Sequence, residues 1–178
     1  MVKDLNKTIG LLGGSFDPAH KGHLEISKIA IKKLKLNNIF WIVAKKNPFK
    51  NNPYFSISQR LKKAKELAKS VKKIKVIYLD KKVNSSKSIN IINYLIYKKK
   101  IQNIYFIIGS DNLINFHKWK NWKKIVKLTK LVVFSRLGYD RKGGKSPVVK
   151  HYKKKITFIK NKPIIISSTE LRKARLNY

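Results

Sequence analysis

The stretch GGSFDPAHKGHL, residues 13–24, decides the fold of this chain. Residues 8–12 before it form a short apolar run that stops at two glycines, which is typical of a buried strand ending in a tight turn. After it, apolar residues recur at spacings of three and four from Leu24 to Leu34, and this spacing predicts a helix. His20 and His23 therefore lie where the predicted helix begins.

The start of this helix is predicted to bind phosphate. Unpaired backbone N–H groups and the helix dipole favour an anion there, and Gly13 and Gly14 let a ligand approach the main chain closely. Two imidazoles three residues apart can donate hydrogen bonds to phosphate oxygens and stabilise charge in a transition state. A plainer alternative is that the histidines only cap the helix, with Asp17 in an ordinary turn. The order of strand, glycines and histidines favours nucleotide binding.

These residues resemble the signature of the HxGH nucleotidyltransferase superfamily, and within it they are similar to the nicotinate-nucleotide adenylyltransferases. Phosphopantetheine adenylyltransferases usually carry threonine where His20 stands. The resemblance implies an enzyme of NAD biosynthesis that binds ATP and nicotinate mononucleotide and forms nicotinate adenine dinucleotide and pyrophosphate. It also implies Mg²⁺ carried largely by the nucleotide phosphates, with no metal ligands from the protein.

Strand and helix patterns alternate along the chain. Strands are predicted at residues 8–12, 39–44, 74–79, 104–108, 131–134 and 156–159, and further helices at 60–69, 88–97 and 169–175. Repeated units of this kind imply an α/β fold, here a single Rossmann-like domain over residues 1–178. Its parallel sheet of five to six strands is expected to carry helices on both faces and to bind ligands at the strand carboxyl ends.

Two loops resemble further family motifs. NPFK, residues 47–50, follows the second strand, and Lys50 is the residue expected to reach phosphate, although it is also one lysine among many. GSDNLINFHKWKNW, residues 109–122, follows the fourth strand. The resemblance implies that Asp111 lies near the nucleotide, while its alternative role is to cap a helix. Trp119 is expected to stack on the pyridine ring and Trp122 to pack in the core.

The remaining motifs lie in the second half of the chain and in the third predicted helix. ISSTELR, residues 166–172, resembles the second superfamily signature, although a plain capping box also explains its pattern. Arg136 matches an arginine of the family, with Leu137 in place of the usual proline. Ser88 stands where the family often has threonine near the nicotinate carboxylate, and the adjacent Lys87 is a hypothetical partner of that carboxylate.

The resemblance thus assigns three sets of candidate residues. Catalytic contacts to the transferring phosphate and the leaving pyrophosphate are expected from His20, His23, Lys50 and Arg172. ATP is expected to contact Gly13, Gly14, Ser15, Phe16, Gly109, Asp111, Ser168, Thr169 and Arg172. Nicotinate mononucleotide is expected to contact Ser15, Phe16, Ser88, Trp119 and Arg136.

Composition limits the other classes of protein. The net charge is +35, but only five of the 43 basic residues are arginine, and the lysines are spread along the chain. Dedicated nucleic-acid binders favour clustered charge and arginine, so no specific nucleic-acid partner is expected. The sequence has no cysteine and no apolar run of about 20 residues, so a cytoplasmic location and no membrane partner are expected.

Three alternatives stay open at this point. Another HxGH nucleotidyltransferase with nicotinamide mononucleotide or pantetheine phosphate as acceptor would share the chemistry. A basic nucleic-acid-binding protein without turnover would show steep salt dependence. An inactive homologue is the third, and the oligomeric state is undecided.

Overall fold

The computed structural model describes residues 7–46, 52–162 and 166–175 of the chain. Lys50 lies outside these residues. Within them, six strands are present: β1 (Thr8–Gly14), β2 (Asn38–Val43), β3 (Ile74–Ile77), β4 (Asn103–Gly109), β5 (Lys130–Phe134) and β6 (Ile156–Ile159).

Helices connect the strands. They are α1 (Lys21–Lys33), α2 (Ile57–Ala68), α3 (Asp80–Val83), α4 (Ser88–Asn93), α5 (Ser110–Asn115), α6 (Trp122–Leu128), α7 (Asp140–Gly144), α8 (Pro147–Tyr152) and α9 (Ser168–Arg175). A π-helical turn, Tyr94–Lys98, extends α4, and 3₁₀ turns follow α5 (Phe116–Lys118) and α8 (Lys153–Lys155).

All six strands pair in parallel, in the order β3-β2-β1-β4-β5-β6. From β1 the chain builds outward through β2 and β3 on one side, and then returns to build outward through β4, β5 and β6 on the other. The order therefore reverses between β1 and β4. Parallel sheets bind ligands in the crevice outside the carboxyl ends of the strands at such a point.

Helices cover both faces of the sheet, because alternate residues of each strand point to opposite sides. On β5, Leu131 and Val133 belong to the apolar cluster beneath α4, α6 and α8, whereas Val132 and Phe134 belong to the cluster beneath α1 and α2. Gly10 of β1 leaves no room for a side chain, because a Cβ there would lie 2.7 Å from Leu36 Cδ1.

The prediction of one α/β domain with a parallel sheet of five to six strands and helices on both faces is confirmed. Its extent, residues 1–178, stays a prediction. Strand β1 runs to Gly14 instead of ending at residue 12, because Gly14 O accepts a hydrogen bond of 2.9 Å from Ala44 N and the ladder continues through the glycines.

Other boundaries differ for local reasons. Strand β3 ends at Ile77 rather than Leu79, because the short helix α3 begins at Asp80. Helices α7 and α8 were not predicted, since five- and six-residue helices are too short for a clear apolar period. No helix in the described parts of the chain is long and apolar enough to span a bilayer.

Candidate active site

A cavity of about 850 Å³ opens at the carboxyl ends of β1 and β4, where the strand order reverses. Its walls come from the loops after β1, β2, β4 and β5 and from the start of α9. The predicted site residues that line it are Gly13, Gly14, Ser15, Phe16, His20, His23, Ser88, Gly109, Asp111, Trp119, Arg136, Ser168, Thr169 and Arg172. These segments, spread over most of the sequence, therefore meet at one place.

The two histidines cap α1 and face each other at its start. His20 is the N-cap residue, and its Nδ1 accepts a hydrogen bond of 3.1 Å from Gly22 N. His23 Nδ1 accepts a hydrogen bond of 3.2 Å from His20 N, and the ring centroids are 4.0 Å apart. Both histidines therefore cap the helix, but both rings also line the cavity, so capping does not exclude a role in binding.

Capping fixes the chemical form of both imidazoles. An imidazole nitrogen that accepts a backbone N–H carries no proton, so the neutral rings of His20 and His23 carry theirs on Nε2. Burial and, to a smaller extent, the charge of Arg136 lower the pKa of His20 to about 4, against an opposing effect of Glu170. His20 is therefore a neutral hydrogen-bond donor at pH 7.

The ring of Phe16 packs against the ring of His23. Its side chain is buried and packs between the rings of His23, at 4.7 Å, and Trp41, at 5.2 Å. Trp41 Nε1 donates to Ser27 Oγ at 2.7 Å, and Ser27 Oγ donates to His23 O at 2.8 Å. The ring of Phe16 thus supports the histidine, and Phe16 is itself one of the residues that line the cavity.

Asp17 links three segments of the cavity wall. Its carboxylate is buried and accepts hydrogen bonds from Tyr54 N at 2.8 Å and Phe55 N at 2.9 Å. Arg172 Nη1 donates to Asp17 O at 2.6 Å and lies 3.4 Å from Asp17 Oδ2. The loop after β1, the segment before α2 and the start of α9 are therefore held together at one aspartate.

The start of α9 lies directly beside this loop. Ser168 Oγ donates to Pro18 O at 2.9 Å, and Arg172 Nη2 donates to Thr169 Oγ1 at 3.2 Å. Ser167 Oγ accepts from Glu170 N at 3.2 Å, so the capping interaction considered for this motif is also present. The second motif thus docks on the first, although residues 15 to 18 and 167 to 172 lie at opposite ends of the chain.

An ion pair between Arg136 and Asp111 forms part of the cavity wall. Arg136 Nη1 donates to Asp111 Oδ2 at 2.7 Å, and the two side chains are 44% and 17% exposed. Arg136 N donates to Ser110 Oγ and to Asp140 Oδ1, each at 3.0 Å, so the loop after β5 is fixed over the start of α5. Asp111, expected near ATP, and Arg136, expected near the acceptor, thus form one charged unit.

Trp119 is both a packing residue and a cavity residue. Its ring lies 5.1 Å from that of Phe116 and 6.2 Å from that of Phe106, and the side chain is partly buried at the cavity wall. Trp122 packs edge-on against Tyr152 at 5.7 Å and does not line this cavity. The structure therefore places Trp119 at the cavity wall and Trp122 away from it, and the stacking of Trp119 on a pyridine ring stays a prediction.

Comparisons with known proteins agree with this arrangement. The cytidylyltransferase-like family model matches residues 11–174. A protein of Pelagibacter ubique (strain HTCC1062) named "Probable nicotinate-nucleotide adenylyltransferase" is 52% identical over 166 residues, which cover 93% of this chain and 92% of the relative. The chain belongs to the nicotinate-nucleotide adenylyltransferase family.

Further similar proteins support this membership. A relative of Ruegeria sp. (strain TM1040) with the same name is 36% identical over 133 residues, covering 74% of this chain and 69% of the relative. The solved structure of Plasmodium falciparum nicotinic acid mononucleotide adenylyltransferase complexed with NaAD matches with a TM-score of 0.73 at 20% identity, over 94% of this chain and 83% of that one. That similarity shows the same fold.

The carboxylates at the cavity are engaged by other groups of the protein. The described residues contain no group of three or more His, Asp or Glu side chains that could hold a metal ion. The two carboxylates that line the cavity, Asp17 and Asp111, are engaged by backbone amides and by arginines. The described residues therefore do not fit a metal held by protein side chains alone.

Sequence reasoning missed two buried charged residues that shape the cavity. Asp80 Oδ2 accepts from Lys45 N at 2.7 Å and from Ser86 Oγ at 2.6 Å, and so joins the loop after β2 to the segment that carries Ser88. Arg60 joins the loops after β1 and β2. The available signal was scarcity, because Asp80 is one of eight acidic residues and Arg60 one of five arginines in the chain.

Proposed function

We propose that this chain transfers the adenylyl group of ATP to nicotinate mononucleotide, giving nicotinate adenine dinucleotide and pyrophosphate. The observation that carries the proposal is the docking of the HxGH loop against the start of α9, with Ser168 bonded to Pro18 and Arg172 to Asp17 around one cavity. The relatives and solved structures of the same family are named for this reaction.

The chemistry needs no protein nucleophile. An oxygen of the acceptor's 5′-phosphate attacks the α-phosphorus of ATP and forms a new P–O bond. The bond between the α-phosphorus and the bridging oxygen to the β-phosphate breaks, and its electron pair leaves with pyrophosphate. Catalysis then consists of aligning the two nucleotides and stabilising negative charge on the phosphoryl oxygens.

The histidine pair supports the proposed role at the transferring phosphate. Each ring presents its Nε2–H as a donor, and a neutral donor keeps its proton when it binds a phosphate oxygen. Arg172, held by Asp17 and Thr169, is proposed to add positive charge beside them. Lys50 is retained as a further proposed cation for the pyrophosphate side.

Other residues of the cavity wall suit a pyridine nucleotide. Trp119 supplies a rigid aromatic surface, and Ser88 and Arg136 supply polar groups. Lys87 also lines the cavity and is exposed, so its ammonium is proposed to interact with the carboxylate of a nicotinate ring. A nicotinamide ring lacks that charge, and this difference is the basis of the proposed acceptor preference.

Substrates are thus proposed to be MgATP and nicotinate mononucleotide, with no specific nucleic-acid partner. The proposal also retains the cytoplasmic location and the extent of the nucleotidyltransferase domain, residues 1–178, that the sequence led us to expect.

The test is pyrophosphate release from ATP and Mg²⁺ with nicotinate mononucleotide, nicotinamide mononucleotide or pantetheine phosphate offered separately. We expect turnover that prefers nicotinate mononucleotide, and we expect His20→Ala to lower kcat by about 100-fold or more with a smaller change in KM. His151→Ala is the matched control, because His151 is exposed on α8 and does not line the cavity.

The other possible results of this assay would support the alternative functions. Preference for another acceptor would identify a different nucleotidyltransferase of the same superfamily. Silence with every acceptor, together with RNA binding that weakens steeply with salt, would favour the basic nucleic-acid-binding alternative. A raised KM together with an unchanged kcat in His20→Ala would show that His20 contributes to binding only and takes no part in the catalytic step.

A further inference from the structure

Arg60 is a buried arginine near the start of α2, and it belongs to none of the predicted sets of site residues. It is 2% exposed. Its guanidinium donates to four backbone carbonyl oxygens, with Nη1 to Ser15 O and Ala44 O at 2.7 Å each, Nε to Phe55 O at 3.0 Å, and Nη2 to Lys45 O at 3.1 Å. A buried charge is costly unless it is hydrogen-bonded, and these four acceptors provide that compensation.

The position of these acceptors shows what Arg60 connects. Ser15 lies in the loop after β1, and Ala44 and Lys45 lie directly after β2. Helix α2 packs on the sheet through the buried apolar residues Ala64 and Ala68. This packing does not involve the guanidinium of Arg60. The guanidinium is therefore bonded to the backbone of the loops after β1 and β2 and of the segment before α2, and to no carbonyl of α2 itself.

The segment before α2 also donates hydrogen bonds to the loop after β1. Tyr54 N and Phe55 N, just before α2, donate to the carboxylate of Asp17. Asp17 also counteracts the effect of burial on Arg60, because burial lowers the pKa of Arg60 and the nearby carboxylate raises it. Residues 15 to 17 are thus held at both ends by the segment from Tyr54 to Arg60.

This connection determines which way one peptide group points. The Ser15–Phe16 peptide is trans, so its N–H is directed away from its C=O. Because Ser15 O is directed at Arg60, Phe16 N–H is directed away from Arg60. Phe16 has a φ of 48°, a left-handed conformation that is uncommon for a residue other than glycine and is held here by its surroundings.

We propose that Arg60 is a positioning residue that orients the Phe16 amide as a fixed donor to a phosphate oxygen, beside the histidine pair. The proposal rests on the proposed function for its catalytic consequence. Fixed backbone donors stabilise developing charge without reorganising, so a small rotation of this peptide is expected to lower the rate of transfer more than the affinity for substrates.

The test compares Arg60→Lys, which keeps the charge but loses the fork of donors, with Lys62→Met as the matched control. Lys62 is exposed in the same helix and is no part of the cavity wall. We expect Arg60→Lys to lower kcat by about 30- to 100-fold, with each KM within about threefold of wild type. Lys62→Met is expected to keep the wild-type kcat. A lowered melting temperature with an unchanged kcat in the folded Arg60→Lys protein would show a purely structural role and overturn the proposal.

Backbone amide NMR gives a second readout that does not depend on turnover. In wild type, α,β-methylene-ATP is expected to slow hydrogen exchange at Phe16 N–H and to shift its resonance; an unaffected amide would overturn the proposal without any variant. In Arg60→Lys without ligand, the amide shifts of residues 15 to 17 are expected to change, and unchanged shifts would also overturn it. If wild type turns over no acceptor, the proposed function fails, and these amide measurements still decide the role of Arg60.

Discussion

Replacing Asp17 with alanine should destabilise the protein far more than the loss of one surface charge would. Asp17 is 5% exposed, and its two carboxylate oxygens accept the backbone N–H groups of Tyr54 and Phe55 at 2.8 and 2.9 Å. Alanine offers no acceptor at this position. Two backbone donors would then lose their partners, and Arg172 would keep only the backbone oxygen of residue 17 and the Thr169 hydroxyl.

The size of the effect follows from these contacts. Both hydrogen bonds are only partly buried, so each donor that loses its partner here costs about 1–2 kcal/mol. The Arg172 contact adds less than about 1 kcal/mol, because that arginine is partly exposed and the ion-pair distance is long. We therefore expect the free energy of unfolding to fall by about 2–4 kcal/mol, a large share of the roughly 5–15 kcal/mol that stabilises a typical domain.

The assay is urea unfolding followed by tryptophan fluorescence at pH 7.5, with thermal unfolding as a second measurement. The melting temperature is expected to fall by roughly 10 °C. Glu66→Ala is the matched control, because Glu66 is an exposed acid on α2, and it should change the free energy of unfolding by less than about 0.5 kcal/mol. A loss below about 1 kcal/mol in Asp17→Ala would refute the reasoning, since the two amides would then have found other partners.

Two further predictions concern pH and acceptor choice. The pKa of His20 is lowered to about 4 in the folded protein and lies near 6.5 in the unfolded chain. Between pH 4 and pH 6.5 the unfolded state therefore binds more protons than the folded state. The free energy of unfolding should fall as the pH drops from 6.5 towards 4. Urea unfolding at pH 7.5 and 4.5 should show a smaller drop for His20→Gln than for wild type, and equal drops would contradict this origin. Lys87→Ala should raise KM for nicotinate mononucleotide by about tenfold while leaving KM for nicotinamide mononucleotide within about twofold of the wild-type value. Steady-state kinetics with both acceptors measures these values. An unchanged KM for nicotinate mononucleotide would exclude the proposed contact.

The structure also changes how individual motif residues are interpreted. The sequence analysis treated capping and ligand binding by His20 and His23 as alternatives, yet the Nδ1 atoms cap the helix while the rings line the cavity. Capping by Ser167 likewise coexists with the contact of Ser168 to the first loop. One side chain or one short segment can serve both roles, because a helix start exposes donors to a ligand and needs a cap at the same time.

The sequence by itself determined the order of the six strands and of helices α1, α2, α4 and α9, the position of the HxGH loop and the family. These features depend on local patterns, namely apolar runs, helical spacing and turn residues, which act over a few neighbouring positions. Residues at the ends of β1 and β4 could be assigned to one site because parallel strands bring their carboxyl ends to the same edge.

Only the tertiary structure decided how the loops are held in place. Arg60 and Asp80 carry no local pattern, and their partners are carbonyl, amide and hydroxyl groups that lie as far as 45 residues away in the sequence. The contact of Arg172 with Asp17 spans 155 residues. Such contacts form because buried charges must find hydrogen-bond partners once the sheet has assembled. Most of these partners are backbone groups, which every residue type carries, so the sequence does not reveal which of them will be used.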